Sequence, residues 1–171
     1  MKLAMSREEI EQKLLKSYQR FYNIDQSETS QQGLVARCDY FEHSEKYVLS
    51  RKAELWSADS EEFLYLFDVP HLTLETYEAC RQFAIEDGMG RMNIGPGHMY
   101  TYITVVIVSD HADEDAVKAL KKSSFHKSFH FSFHGWLDYR AALVSQDKEK
   151  VLTNGAGRCM TKVMKKVLYS K

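Results

Sequence analysis

The sequence predicts an α+β fold with a mainly antiparallel sheet and helices packed against it. Residues 34–69 alternate with the period of two that is typical of strands, whereas residues 6–22 and 73–88 carry apolar side chains at helical spacing. The predicted elements follow one another in the order αβββαβαβββα, which favours segregated helices and strands. A chain of 171 residues is long enough to bury its own core, and we expect one domain over 1–171.

The first helix begins with a capping box. Ser6 is followed three positions later by Glu9, and this pair can satisfy free backbone N–H groups at a helix start. The helix is expected to end near Asn23. Its inward face is predicted to carry Ile10, Leu14, Leu15, Tyr18, Phe21 and Tyr22.

Three strands are predicted between Leu34 and Val69. Their sequences are LVARCDYFEH, KYVLSRKAELW and EFLYLFDV, and the polar breaks HSE and SADSE separate them. Short breaks between strand-like runs indicate an antiparallel meander.

The remaining elements follow from local signals. Pro70 ends the meander, and Thr73 can cap a second helix that reaches Gly88. The segment YTYITVVIV is apolar on both faces and predicts a central strand. Residues 113–122 begin acidic and end in lysines, which matches a helix dipole. The strands WLDYRAALVS and VLTN, joined at QDKEK, then precede a final amphipathic helix.

The segment SFHKSFHFSFHG repeats Ser-Phe-His three times, and its chemistry depends on its backbone. On a helix, histidines four apart could share a metal ion, whereas on a strand they lie ~13 Å apart. Phe131 decides for a strand, because only a strand places every phenylalanine of the repeat on one face. The opposite face then combines His126, His130, His134, Asp138 and Arg140.

This polar face is the predicted ligand-binding surface. Its histidines could bind an anion or act as acid and base, with the two charged residues assisting. The alternative is a solvent-facing or dimer-facing surface with hydrogen bonds across strands. No cofactor and no metal is expected, since a metal would need further ligands from a neighbouring strand, such as His98, Asp110 or His111.

Composition excludes several classes of protein. The three cysteines are widely spaced, which argues against a disulfide framework and fits a cytoplasmic location. No signal peptide or membrane span is expected. Residues 1–90 carry 10 basic and 17 acidic side chains, and residues 91–171 carry 13 and 7. We interpret this asymmetry as complementary charge within the fold or a dimer, so a nucleic-acid partner is not expected.

The order αβββαβ of the first six elements resembles the core of the PD-(D/E)xK nuclease superfamily. This resemblance implies a metal-dependent phosphodiesterase in which acids on two strands and a lysine form the site. The third strand EEFLYLF lacks the acid-x-Lys pair, so the nearest catalytic set in this chain is Asp39, Glu54 and Lys52.

A second resemblance covers nearly the whole chain. The segments SEKYVLSRKAELW, HMYTYITVVIV, FHGWLDYRAALV and VLTNGAG are similar to those of a family of uncharacterised bacterial proteins of similar length. The sequence therefore favours a soluble binding or assembly protein, with a small or anionic ligand and a homodimer as its partners. The nuclease-like enzyme is the alternative.

Overall fold

The computed structural model describes residues 5–27, 33–47 and 54–170, with the backbone alone for 43–47 and 54–58. The helices in these ranges are α1 (Arg7–Tyr18), α2 (Leu74–Arg91), α3 (Glu114–Lys122) and α4 (Arg158–Tyr169). The strands are β1 (Asn23–Asp25), β2 (Leu34–Tyr47), β3 (Glu54–Asp68), β4 (His71–Leu72), β5 (His98–Ser109), β6 (His111–Ala112), β7 (His126–Ser128), β8 (Trp136–Ser145) and β9 (Lys150–Thr153).

A mixed seven-stranded sheet forms the centre of the molecule. Its order is β1-β2-β3-β5-β8-β7, and β9 pairs with the C-terminal part of β8. The β3–β5 and β5–β8 pairs are parallel, and the other pairs are antiparallel. The predicted α+β fold with a mainly antiparallel sheet is confirmed. Its three middle strands are parallel to one another, and a separate parallel pair is formed by β4 and β6.

Helices cover both faces of the sheet, and β5 is the strand that both cores share. Ile103, Val105 and Ile107 pack with α2 and α3 on one face, whereas Val106 and Val108 pack with α1 and α4 on the other. The prediction that this strand is central is therefore confirmed. Its apolar side chains on both faces are the reason, because each face needs a packing partner.

The described part of residues 34–69 forms two strands rather than the predicted three, and β1 supplies the third antiparallel strand of this part of the sheet. Strand β2 continues through the polar HSE segment to Tyr47, and β3 runs through SADSE from Glu54 onward. Their antiparallel register is continuous from Glu42 opposite Ser60 to Lys46 opposite Trp56. Polar residues do not break a strand whose backbone remains paired, which explains the error. Residues 48–53 of the predicted middle strand lie outside the described residues.

The helices agree with their capping signals but not with every predicted end. The Ser6 capping box opens α1, and the Thr73 side chain caps α2. Helix α1 ends at Tyr18 rather than near Asn23. Helix α2 continues past Gly88 to Arg91. A side chain at Gly88 would collide with Ile103 of β5, so this glycine permits close packing of the helix on the sheet rather than ending the helix. In the described part of the chain, no helix is long and apolar enough to cross a membrane.

The Ser-Phe-His repeat is a hairpin rather than one strand. Only His126–Ser128 forms a strand, and it pairs with the start of β8. The chain must therefore reverse before Trp136, and His130, Phe131 and Ser132 do so with φ angles of 48°, 52° and 70°. Phe131, the residue that favoured an uninterrupted strand, is 94% exposed. The strand prediction is wrong beyond Ser128 because pairing with β8 determines the backbone, not side-chain alternation.

Asn154 connects β8 to the loop before α4 through hydrogen bonds. Its side-chain oxygen accepts hydrogen bonds from the backbone N–H groups of Ala141 and Gly157, at 3.0 and 2.8 Å. Its amide donates to the carbonyls of Ser123 and Tyr139, both at 3.1 Å. Since the residue is buried, its loss would leave several buried backbone groups without partners.

We predict that Asn154→Ala lowers the free energy of unfolding by about 2–4 kcal/mol. Urea denaturation followed by circular dichroism measures the change. Asn93→Ala is the matched control, since Asn93 is exposed and its variant should unfold within about 0.5 kcal/mol of the parent protein. Equal losses in the two variants would contradict this role for Asn154.

Candidate metal centre

The five predicted ligand-binding residues lie in three separate places. His126 and Asp138 face each other across β7 and β8, with 2.6 Å between Nδ1 and Oδ1. His130 and His134 stack in the turn, with ring centroids 4.8 Å apart, far closer than a strand would hold them. The Arg140 guanidinium lies 3.3 Å from the centre of the Tyr102 ring. One continuous Ser/His face is therefore not formed.

The residues of the nuclease alternative do not come together. Asp39 is paired with Arg91, at 2.7 Å between the carboxylate and the guanidinium. It lies opposite Phe63, nine residues along β3 from Glu54. At ~3.3 Å per residue this separation is about 30 Å, too far for one shared ion. Lys52 lies outside the described residues. The geometry does not support a nuclease site built on this set.

The three parallel strands end at one edge of the sheet, and each is followed by a polar loop. His71 follows β3, His111 and Asp113 follow β5, and Asp147 follows β8. His71 and His111 lie directly opposite each other in the short β4–β6 pair. In open sheets, ligands bind outside the carboxyl ends of parallel strands. The fold thus gathers these four side chains where such sites occur.

Three of these side chains converge on a common point. His71 Nε2 lies 2.6 Å from Asp113 Oδ1, and His111 Nε2 lies 3.4 Å from the same oxygen. One ligand atom from each residue lies within 4.8 Å of the other two. Ligands that bind one ion at ~2.1 Å stand a little over 3 Å apart. Small side-chain adjustments would therefore complete a metal site.

Asp113 occupies the N-cap position of α3 but does not cap the helix. Its side chain makes no hydrogen bond to the first turn, whereas Thr73 at the equivalent position of α2 accepts one from the Thr76 N–H. Aspartate is among the best N-cap residues, so this orientation sacrifices a favourable contact. The carboxylate is instead directed at the histidines, and the hydrogen bond from His71 lowers the pKa of Asp113.

Asp147 orients the His111 ring. Its carboxylate lies 2.6 Å from His111 Nδ1, accepts the Ala112 N–H at 3.4 Å and also accepts the Ser145 hydroxyl. Burial raises the pKa of Asp147, but these hydrogen bonds outweigh burial and lower it overall. When Nδ1–H donates to Asp147, the Nε2 lone pair faces Asp113. This carboxylate–histidine pairing is the usual support of a metal-binding imidazole.

The other candidate metal ligands, His98 and Asp110, bond to groups outside the cluster. Both ring nitrogens of buried His98 have partners, the His134 carbonyl and the Thr101 hydroxyl. Asp110 pairs with Arg7, which also reaches Asp68 at the end of β3. Arg7 thereby ties α1 to the ends of two neighbouring strands, beside the candidate metal centre. Of those candidates, His111 alone belongs to the cluster.

The sequence does contain a signal for the cluster, outside the Ser-Phe-His repeat. An apolar strand is followed by PHLT in one place and by DHAD in the other. In both, a histidine stands two positions before the N-cap residue of a helix. Two copies of this pattern after neighbouring parallel strands would have placed His71 beside His111.

A shallow depression of about 540 Å³ adjoins the cluster. Its lining includes His111 and Asp113 of the cluster, the acids Glu114 and Asp115, and the lysines Lys118 and Lys148. Lys148 pairs with Glu114 at 2.8 Å. Lys148 chiefly, and Lys118 to a smaller extent, lower the pKa of Glu114, so both lysines lie near this carboxylate.

Comparison with known families confirms the predicted resemblance to an uncharacterised family. The model of a family described as Domain of unknown function (DUF8052) matches residues 6–166. The chain belongs to this family. Searches of curated proteins and of solved structures each found no match.

Proposed function

We propose that this DUF8052 protein binds a divalent transition-metal ion through His71, His111 and Asp113, and that the ion holds a small anionic ligand. The observation that carries the proposal is the convergence of these side chains within 4.8 Å at the shared strand edge. The diverted N-cap carboxylate of Asp113 supports it. The homodimer and the cytoplasmic location stay predictions.

The ligand set favours Zn²⁺ and its first-row neighbours. Imidazole nitrogens suit zinc, iron, copper and nickel, whereas Mg²⁺ and Ca²⁺ prefer oxygen ligands alone. Three protein ligands leave at least one coordination position open, as in catalytic rather than structural zinc sites. The open position would take water or a small anion, which the positive charge of the ion would attract.

We predict that His71→Ala weakens Zn²⁺ binding by roughly 100-fold or more, because one of three protein ligands is lost. Isothermal titration calorimetry on protein stripped with EDTA measures the affinity, and elemental analysis measures the stoichiometry. The parent protein should bind one ion per chain at this cluster.

His126→Ala is the matched control for this measurement. His126 is 58% exposed against 55% for His71, and each has a ring nitrogen 2.6 Å from an aspartate oxygen. The His126–Asp138 pair has no third ligand beside it among the described residues. The control variant should keep the parent affinity. Equal effects of the two substitutions would refute the proposed site.

We also predict that Asp147→Asn weakens Zn²⁺ binding by about 10- to 100-fold with one ion still bound, since this side chain orients His111 without being a ligand. Asp138→Asn removes a comparable charge beside His126 and should leave the affinity unchanged. Calorimetry at constant pH measures the Zn²⁺ affinity of both variants. An Asp147→Asn protein with parent affinity would show that His111 does not depend on this carboxylate.

A further inference from the structure

A second site lies on the sheet face that α1 and α4 cover. A cavity of about 400 Å³ opens there between the two helices. Its apolar wall comes from the turn after α1, from β3 and from α4, and consists of Phe21, Leu64, Met160, Val163 and Met164. Arg140 of β8 lines the same cavity. This residue is five positions before the end of β8, about 17 Å from the edge that carries the metal cluster.

The Arg140 side chain has no anionic partner among the described residues. Its Nε atom is buried and makes no hydrogen bond. Its one observed interaction is the stack on Tyr102 at 3.3 Å. By contrast, Arg7, Arg37 and Arg91 are all paired with aspartates. A partly buried cation without a counter-charge is unfavourable, and an anion in the cavity would relieve that cost.

Glu62 lines the cavity but does not neutralise Arg140. One carboxylate oxygen accepts the Tyr22 hydroxyl at 2.6 Å, and the other accepts the Thr104 hydroxyl at 2.7 Å. No ion pair joins Glu62 to Arg140. The carboxylate is therefore satisfied by neutral donors, and the guanidinium is left available.

We propose that this cavity binds a small amphiphilic carboxylate, such as a medium-chain fatty acid. The carboxylate would pair with the Arg140 guanidinium, and the chain would lie against the apolar wall. The volume is at the lower end of the range for small-molecule sites, which favours a medium rather than a long chain. Phe21 and Val163 are exposed at the cavity and would be covered by the chain. The site shares no residue with the metal centre.

The test compares decanoate with 1-decanol, which has the same chain but no charge. With EDTA present, calorimetry should show decanoate binding about 10- to 100-fold more tightly than decanol, the value of a charge-assisted hydrogen bond. Arg140→Met keeps the stem on Tyr102 and should abolish this preference, whereas Arg140→Lys should keep part of it. Equal binding of the two probes to the parent protein, or no decanoate binding, would overturn the proposal.

Arg81→Met is the matched control. Arg81 also has a buried Nε without a partner and lies over an aromatic ring, that of Tyr139, but it does not line the cavity. Its variant should bind decanoate as the parent does. A loss of preference in Arg81→Met equal to that in Arg140→Met would overturn the assignment to Arg140.

The rate at which Cys159 is chemically modified can show whether the ligand binds in this cavity. It is exposed and lines the cavity, whereas Cys38 and Cys80 are buried. Burial raises the pKa of both buried thiols to about 12, so maleimide should modify Cys159 selectively. Saturating decanoate should slow that modification severalfold. Decanoate binding that leaves the Cys159 rate unchanged would place the ligand elsewhere and overturn the proposal.

Discussion

The parallel pairing of β3, β5 and β8 is the constraint on which the proposed chemistry depends. Each of these strands runs in the same direction through the centre of the sheet, so their C-terminal ends share one edge. Helices α2 and α3 follow the first two strands and pack on the same face. The loops that start these helices therefore meet, although their histidines lie forty residues apart in the chain. Arg7 ties α1 to the ends of two of these strands.

At the same edge, one residue departs from its usual local role as a helix cap. An aspartate at an N-cap normally stabilises its helix by about 0.5–2 kcal/mol. Asp113 gives up that contact to face His71 and His111, while Thr73 in the corresponding loop keeps it. Departures from local rules concentrate at functional sites, and here the departure coincides with an oriented histidine. This departure supports the proposed metal site.

Local signals in the sequence predicted the elements well, and pairing was the part they could not supply. Helices α1 and α2 and the central strand were predictable because their signals lie in neighbouring residues. These signals are the Ser6 capping box, the Thr73 cap and the two apolar faces of β5. The Ser-Phe-His repeat is different, because its conformation is determined by pairing with β8. The ion pair of Asp39 was likewise not predictable from local signals, because its partner Arg91 is 52 residues away in the sequence.

The candidate site was only partly predictable for the same reason. Arg140 was recognised as a ligand-binding candidate, but its predicted companions in the repeat lie elsewhere. His111 was named as a possible further ligand, but its partner His71 was not, because only the parallel strands place the two histidines opposite each other. The pattern of a histidine two residues before a helix cap, found after two strands, is the one local trace of that arrangement.

Anomalous diffraction at the zinc absorption edge, from crystals of the zinc-loaded protein, tests the central claim most directly. The account predicts a peak about 2.0–2.2 Å from Nε2 of His71, Nε2 of His111 and a carboxylate oxygen of Asp113, with Asp147 on the far side of the His111 ring. Zinc-loaded crystals whose anomalous peaks all lie away from these three residues would contradict it.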